Sequence, residues 1–160
     1  MPNFVFSRRR LMTSLASAAV LAATTRAAFA KSINRFSLEG GTGFALKGYD
    51  TTAYFKTNAA VDGTDGNTMT WKGAIWRFVT PQDAALFEAN PEAYAPQFGG
   101  YCTRAMSLGK EVPGDPEVWR IHNGKLYVFY AKVGGRHFDK GADAMIELAQ
   151  KHWETLSFTQ

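Results

Sequence analysis

Cys102 is the side chain of this sequence with the clearest capacity for chemistry. It is the only cysteine among the 160 residues; Gly99-Gly100 lies shortly before it, and it falls in the first turn of a predicted short helix that ends at Gly109. A thiol at the start of a helix meets unpaired backbone N–H groups, which favour the thiolate. A thiolate binds soft metals and attacks disulfides. Free cysteine is also among the most buried residue types, so a packing role stays open.

The three histidines are weaker candidate metal ligands than the cysteine. His122 lies in a predicted hairpin on the face opposite the expected core, and His137 lies in a glycine-flanked stretch. His152 falls beside Trp153 on a predicted helix. No pair has the short spacing of a recognisable zinc site, such as His-x-x-x-His or Cys-x-x-Cys. Cys102, His137 and His122 would therefore form a metal site only if the fold brought them together.

The first 30 residues have the organisation of an export signal. Arg8-Arg9-Arg10 opens a basic segment, an apolar run rich in Ala, Ser and Thr follows over 11–23, and Ala28-Phe29-Ala30 has the small-x-small pattern of a cleavage site. The pair Arg8-Arg9 resembles that of a twin-arginine signal. We expect cleavage after Ala30 and a periplasmic location. No stable membrane anchor is expected, because the apolar run is shorter than the roughly 20 residues that span a bilayer.

The charge balance changes once this segment is set aside. The whole chain has a formal net charge of +4, from 18 Lys and Arg against 14 Asp and Glu. Four of those bases and none of the acids lie in residues 1–30, so residues 31–160 are formally neutral. Neutrality gives no support for a nucleic-acid partner, and we expect none.

Two β-hairpins are predicted to position these side chains. The first covers 68–79 and turns at Lys72-Gly73, and the second covers 119–130 and turns at Asn123-Gly124, a preferred pair for a two-residue turn. Side chains alternate across a strand. The core face of the second hairpin should therefore carry Trp119, Ile121, Leu126, Val128 and Tyr130, and the other face Arg120, His122, Lys125, Tyr127 and Phe129.

Three helices and two irregular segments complete the expected fold. Thr80-Pro81-Gln82-Asp83 is a helix start with a Thr cap, Pro at the first position and an acid three residues on. A short helix holds Cys102 in its first turn. Gly134-Gly135 predicts a loop through Phe138, and 31–43 is expected to be a flexible lead-in. The last helix is predicted over 142–156, with an apolar stripe of Ala142, Ile146, Ala149, Trp153 and Leu156.

The sequence therefore predicts one small α+β domain, over 44–158, in which two β-hairpins pack against a few helices. Its motifs, in chain order, are Lys47-Gly48-Tyr49-Asp50, Ala53-Tyr54-Phe55, Trp76-Arg77-Phe78, Asn90-Pro91-Glu92-Ala93-Tyr94-Ala95-Pro96, Gly99-Gly100-Tyr101-Cys102, Gly114-Asp115-Pro116 and Asn123-Gly124-Lys125-Leu126-Tyr127. Together they resemble the exported YHS-domain proteins of proteobacteria, over roughly 44–156.

The resemblance implies a small module that is usually described as metal-binding, and no enzymatic reaction. Some exported relatives are described as possible selenoproteins, and Cys102 is the only position here that could correspond to a selenocysteine. The chain departs from the family pattern in two ways. Tyr101-Cys102-Thr103 stands near the place of the Tyr-His-Ser triplet, and the additional cysteines of the metal-binding module are missing.

Three functions follow as hypotheses. The first is a periplasmic metal-binding or metal-handling module centred on Cys102, with copper or zinc as the ion and a histidine or a methionine as a second ligand. The second is a thiol-redox protein in which Cys102 reacts with a periplasmic protein partner, since the chain has no second cysteine. The third is a non-catalytic accessory binding domain in which Cys102 belongs to the core.

Overall fold

The structure is a computed structural model that describes residues 32–38 and 43–159. The predicted export signal, with Arg8, Arg9, Ala28 and Ala30, lies outside the described residues. Among the residues described, no helix combines the length and the apolar character that a membrane span requires.

The chain forms a small α+β domain, as the sequence predicted. Within the described ranges it has six α-helices and three two-stranded sheets, and two 3₁₀ turns at Leu46–Gly48 and Gln97–Gly100. In chain order the elements are β1 (Ser32–Asn34), α1 (Ala53–Lys56), β2 (Thr64–Trp71), β3 (Ala74–Phe78), α2 (Pro81–Ala89), α3 (Pro91–Tyr94), α4 (Thr103–Met106), β4 (Asp115–His122), β5 (Lys125–Phe129), α5 (Lys132–Phe138), α6 (Ala142–Trp153) and β6 (Ser157–Thr159).

Both predicted hairpins are confirmed. Strands β2 and β3 pair antiparallel, and so do β4 and β5, whose register places Trp119 opposite Val128 and His122 opposite Lys125. The turn residue Asn123 has a φ of 50°. Asparagine tolerates this left-handed conformation, which a tight two-residue hairpin turn requires.

The second hairpin is buried on both faces, whereas the sequence predicted one core face. Leu126 and Val128 pack on one side, as expected, but Tyr127 and Phe129 are also buried. The prediction that Tyr130 joins the core was wrong, since 66% of it is exposed. The reason is that helices cover the second face, where the packed cluster contains Phe98, Tyr101, Cys102, Met106, Phe138, Met145 and Ala149.

The segment expected to be a flexible lead-in belongs to the core over 32–38. Strand β1 pairs in parallel with β6. Phe36 is buried with its ring centroid 5.0 Å from that of Trp76, and the backbone N–H of Ser37 donates to the oxygen of Gly99 at 2.8 Å. Strand pairing, the buried Phe36 ring and a backbone hydrogen bond therefore fix residues 32–38 in place. The glycines that follow in the sequence had suggested a flexible segment.

Helix α5 replaces the loop predicted at Gly134-Gly135. A Cβ at position 134 would lie 3.3 Å from the Cβ of Phe129, and one at position 135 would lie 3.2 Å from Nη2 of Arg120. The two glycines therefore let the helix approach the β4–β5 sheet more closely than larger residues would. In this chain they mark helix packing and not a loop.

The other helix predictions hold with small shifts of boundary. The Oγ1 of Thr80 accepts a hydrogen bond from the backbone N–H of Asp83 at 3.1 Å, which is the expected cap of α2. Helix α6 begins at Ala142 as predicted and ends at Trp153, three residues early. The predicted stripe packs on the core, joined by Met145, which the stripe had left out.

Candidate functional site

Cys102 lies where the sequence placed it, at the start of α4. It is the N-cap of this four-residue helix: its Sγ accepts a hydrogen bond from the backbone N–H of Ala105 at 3.4 Å. Its own N–H donates to the oxygen of Val112 at 2.7 Å. Only 4% of the residue is exposed. The thiol is therefore held in a fixed position and almost covered by protein.

The glycines before Cys102 serve a close backbone contact. Gly99 has a φ of 61°, and a Cβ there would lie 1.9 Å from the backbone oxygen of Arg35. A larger residue would clash with fixed backbone, so glycine is required. The Gly99-Gly100 pair thus turns the chain into Cys102 while it packs against the N-terminal segment. The role of this glycine pair is therefore structural.

A groove of about 280 Å³ opens beside the cysteine, between α4, the following loop and the start of α5. We call it the Cys102 groove. Its surface is almost entirely apolar. It is lined by Cys102, Arg104, Ala105, Leu108, Lys110, Val112, Tyr130, Ala131, Val133, Gly134 and His137.

The groove collects most of the large apolar side chains that stay exposed. The described part of the chain has five of them, and Leu108, Tyr130 and Val133, at 57%, 66% and 50% exposure, line this groove. Single exposed apolar residues are ordinary, but a cluster of them around a concave surface is typical of an interaction site. Neither Leu86 nor Leu148, the other two, lies in it.

Among the described residues that line the groove, the ionisable ones besides Cys102 are Arg104, Lys110 and His137. No Asp or Glu of the described ranges lines it. Within the described ranges none of these three side chains forms a hydrogen bond or an ion pair. Arg120, by contrast, binds Asp139 through two of its nitrogens, at 2.7 and 2.8 Å.

The structure brings together two of the three predicted metal ligands. Cys102 and His137 line the same groove, but His122 lies elsewhere, with its Nε2 2.8 Å from Oδ1 of Asp143. Across the part of the chain that the structure describes, no group of three or more His, Cys, Asp and Glu side chains is arranged to hold a metal ion. His152 is also engaged, since its Nε2 lies 2.7 Å from Oε1 of Glu111.

A second group of charged side chains lies near the end of β3. The carboxylate of Asp50 is fully buried and accepts hydrogen bonds from the N–H of Thr52 at 2.8 Å, from the hydroxyl of Thr52 at 2.7 Å and from the N–H of Val79 at 2.8 Å. Asp83 is also buried and binds Lys56 and the hydroxyl of Thr80. We call these residues the Asp50–Asp83 network.

The hydrogen bonds of this network stabilise the ionised form of Asp83, as expected for a carboxylate with a structural role. Burial would raise the pKa of the Asp83 carboxyl, but the hydrogen bonds from Lys56 and Thr80 outweigh burial and hold that pKa below its usual range. Both carboxylates are supplied with donors and neither lines an open cavity described here. The hydrogen bonds of the network therefore support a structural role.

Sequence reasoning found the cysteine and His137 but missed the rest of the groove. The sequence predicts Leu108 in a short helix and Tyr130 in the core, and no spacing distinguishes Arg104 or Lys110. The groove forms where two stretches of the chain that are distant in sequence, 102–112 and 130–137, meet, so its signal is spatial. Comparison of the chain with protein families, curated proteins and solved structures gives no match. The fold and the site therefore define a class only, an α+β domain with an apolar groove bordered by bases.

Proposed function

We propose that this protein is a non-catalytic binding domain of the periplasm whose ligand site is the Cys102 groove. The observation that carries the proposal is the exposure of Leu108, Tyr130 and Val133 around one concave surface. Apolar surface removed from water contributes about 25 cal/mol per Å², so a ligand that covers these side chains gains affinity there. The periplasmic location comes from the predicted export signal, and the resemblance to exported YHS-domain proteins agrees with a binding module.

The groove chemistry favours binding over catalysis. A cysteine nucleophile needs a base within hydrogen-bond reach, and that base needs a third group to orient it. Cys102 receives an N–H from Ala105, and His137 has no carboxylate beside it among the groove residues. The apolar walls supply a binding surface without that catalytic arrangement.

Binding of a neutral apolar dye, such as Nile red, tests the proposal. We expect the purified protein to bind the dye and Val133→Asp to weaken the affinity by about tenfold, because a carboxylate in an apolar groove is costly to desolvate. Leu148→Asp is the matched control, since Leu148 is 52% exposed on α6 and lies outside the groove. Equal affinities in all three proteins would contradict the proposal.

The shared position of Cys102 and His137 favours a second candidate function, the binding of a soft metal ion. Thiolate and imidazole are ligands of copper(I) and of zinc, and these two side chains line one groove. Bound metal would make the protein the metal-handling module that the sequence resemblance implies. The two protein ligands leave the remaining coordination positions to other donors.

Metal titration under reducing conditions tests this candidate. Copper(I) and zinc would each be titrated against a coloured chelator. We expect one equivalent to bind, loss of binding in Cys102→Ser and weaker binding in His137→Asn. His122→Asn is the control, because His122 pairs with Asp143 away from the groove. Binding that persists in Cys102→Ser would exclude the metal function.

A further inference from the structure

The Cys102 groove is lined by basic side chains, although the formal net charge of residues 31–160 is zero. Residues 31–160 hold as many Lys and Arg as Asp and Glu, yet among the described residues the groove is lined by Arg104 and Lys110 and by no acid. The acid that follows Lys110 in sequence, Glu111, is directed to α6, where it lies 2.7 Å from His152. The two permanently charged side chains that line the groove, Arg104 and Lys110, therefore carry the same sign.

We infer that the ligand of this groove is a small amphipathic anion, with an apolar chain or ring that ends in a carboxylate. This inference rests on the proposed binding function and specifies its ligand. The apolar part would cover Leu108, Tyr130 and Val133, and the carboxylate would bind Arg104 and Lys110. Among the described residues, neither side chain forms an ion pair or a hydrogen bond. Each can therefore bind a ligand anion without first breaking an existing interaction.

The size of the groove favours a small molecule over a protein segment. Its volume of about 280 Å³ is close to the lower end of small-ligand sites, which begin at roughly 300 Å³. A stable protein interface instead buries roughly 800 Å² on each partner. The three exposed apolar side chains form a compact patch at a single cavity, which suits a chain of several carbons.

The two parts of the ligand would contribute differently. The apolar part supplies most of the affinity, because it removes apolar surface from water. The cations act mainly on selectivity, because Lys110 is exposed and Arg104 is half-buried, and ion pairs in contact with solvent are weak and screened by salt. The charged group therefore decides which of several equally apolar molecules binds best.

Three ligands of equal chain length test the inference: octanoate, octanol and octylammonium. Each would be titrated into the isotopically labelled protein while the backbone amides of Ala105, Leu108 and Val133 are followed by NMR. We expect octanoate to bind about tenfold more tightly than octanol, with octylammonium the weakest. Added salt should weaken the binding of octanoate and leave that of octanol unchanged.

Substitutions that remove a charge test whether Arg104 and Lys110 cause the preference for octanoate over octanol. Arg104→Gln and Lys110→Gln should each weaken octanoate about three- to tenfold and leave octanol unchanged. Arg104→Lys keeps the charge at a half-buried position and should retain most of the affinity, which separates a charge effect from a folding defect. Lys125→Gln is the control, because Lys125 is exposed at the β4–β5 turn outside the groove.

The outcomes separate this inference from the proposed function. If octanol and octanoate shift the groove amides with equal affinity, the anion inference is wrong while the apolar site stands. If no ligand shifts these amides and the dye does not bind, both fall. If Lys125→Gln weakens octanoate as much as Lys110→Gln, the attraction is a property of the whole surface and the inference is overturned.

Discussion

The Asp50–Asp83 network and the Cys102 groove both contain charged side chains. They differ in whether those side chains have hydrogen-bond or ion-pair partners. In the network, buried carboxylates accept hydrogen bonds from backbone and side-chain donors. In the groove, Arg104 and Lys110 lie beside apolar side chains and have no partner among the described residues. In the first region the buried carboxylates are matched by hydrogen-bond donors, whereas the second region is open and its two cations are unmatched among the described residues.

This difference separates a structural role from a binding role. Burying a charge without partners is very costly, so a buried carboxylate with three donors indicates that the fold itself needs those hydrogen bonds. Exposed apolar surface beside unpaired charge contributes nothing to folding stability. Substitutions in the network should therefore change stability, and substitutions in the groove should change binding.

The largest effect is expected at Asp50. Its removal leaves the N–H of buried Thr52 and that of half-buried Val79 without acceptors, so Asp50→Ala should lower the free energy of unfolding by about 3 kcal/mol. Urea denaturation measures this. Asp65→Ala is the control: Asp65 is an exposed partner of Arg77, and its loss should change stability by about 0–1 kcal/mol. Equal effects of the two substitutions would contradict the structural role of the network.

Asp83 should give the network a pH dependence. Its pKa is held below the usual range in the folded protein, so its stabilisation is complete above the unfolded value of about 3.9 and is lost as the pH falls through the folded value. Asp83→Asn should therefore lower stability by about 1–2 kcal/mol at pH 7, and the difference should shrink below about pH 4. Urea denaturation at pH 7, 5 and 3 measures it, and a constant difference would refute the assignment.

Cys102 connects the two kinds of region, because it is buried and also lines the groove. We expect iodoacetamide to alkylate the native thiol at least about tenfold more slowly than the thiol of the urea-unfolded protein, because reaction of a buried group requires local opening. A groove ligand should slow the reaction further. Fast reaction of the native thiol with both iodoacetamide and peroxide would instead support the thiol-redox hypothesis.

The sequence predicted local structure more accurately than packing. The Asn123-Gly124 turn fixed the register of β4 and β5, and Thr80 and Pro81 located the start of α2, because these signals act within a few residues. The faces of β5 were predicted only in part, since a period-two pattern indicates one buried face and cannot show that helices cover the other. Gly134 and Gly135 suggested a loop because their packing partners are distant in sequence.

The candidate site shows the same limit. Its cysteine was identifiable as the lone thiol at a helix start, and His137 was a candidate without fixed geometry. Leu108 and Val133 become site residues only because α4 and α5 meet, which is a tertiary property. The twin-arginine-like signal and the YHS resemblance stay predictions, as do the metal and the redox hypotheses.

The smallest effect on stability, and the sharpest contrast with Asp50, is expected at Leu108. Because 57% of this residue is exposed, Leu108→Ser should change the free energy of unfolding by less than about 0.5 kcal/mol. The same substitution should weaken Nile red binding severalfold, because it removes apolar contact from the groove. Leu148→Ser, with similar exposure on α6, should leave both quantities unchanged. A large loss of stability in Leu108→Ser would place this side chain in the core and remove the distinction between the two regions.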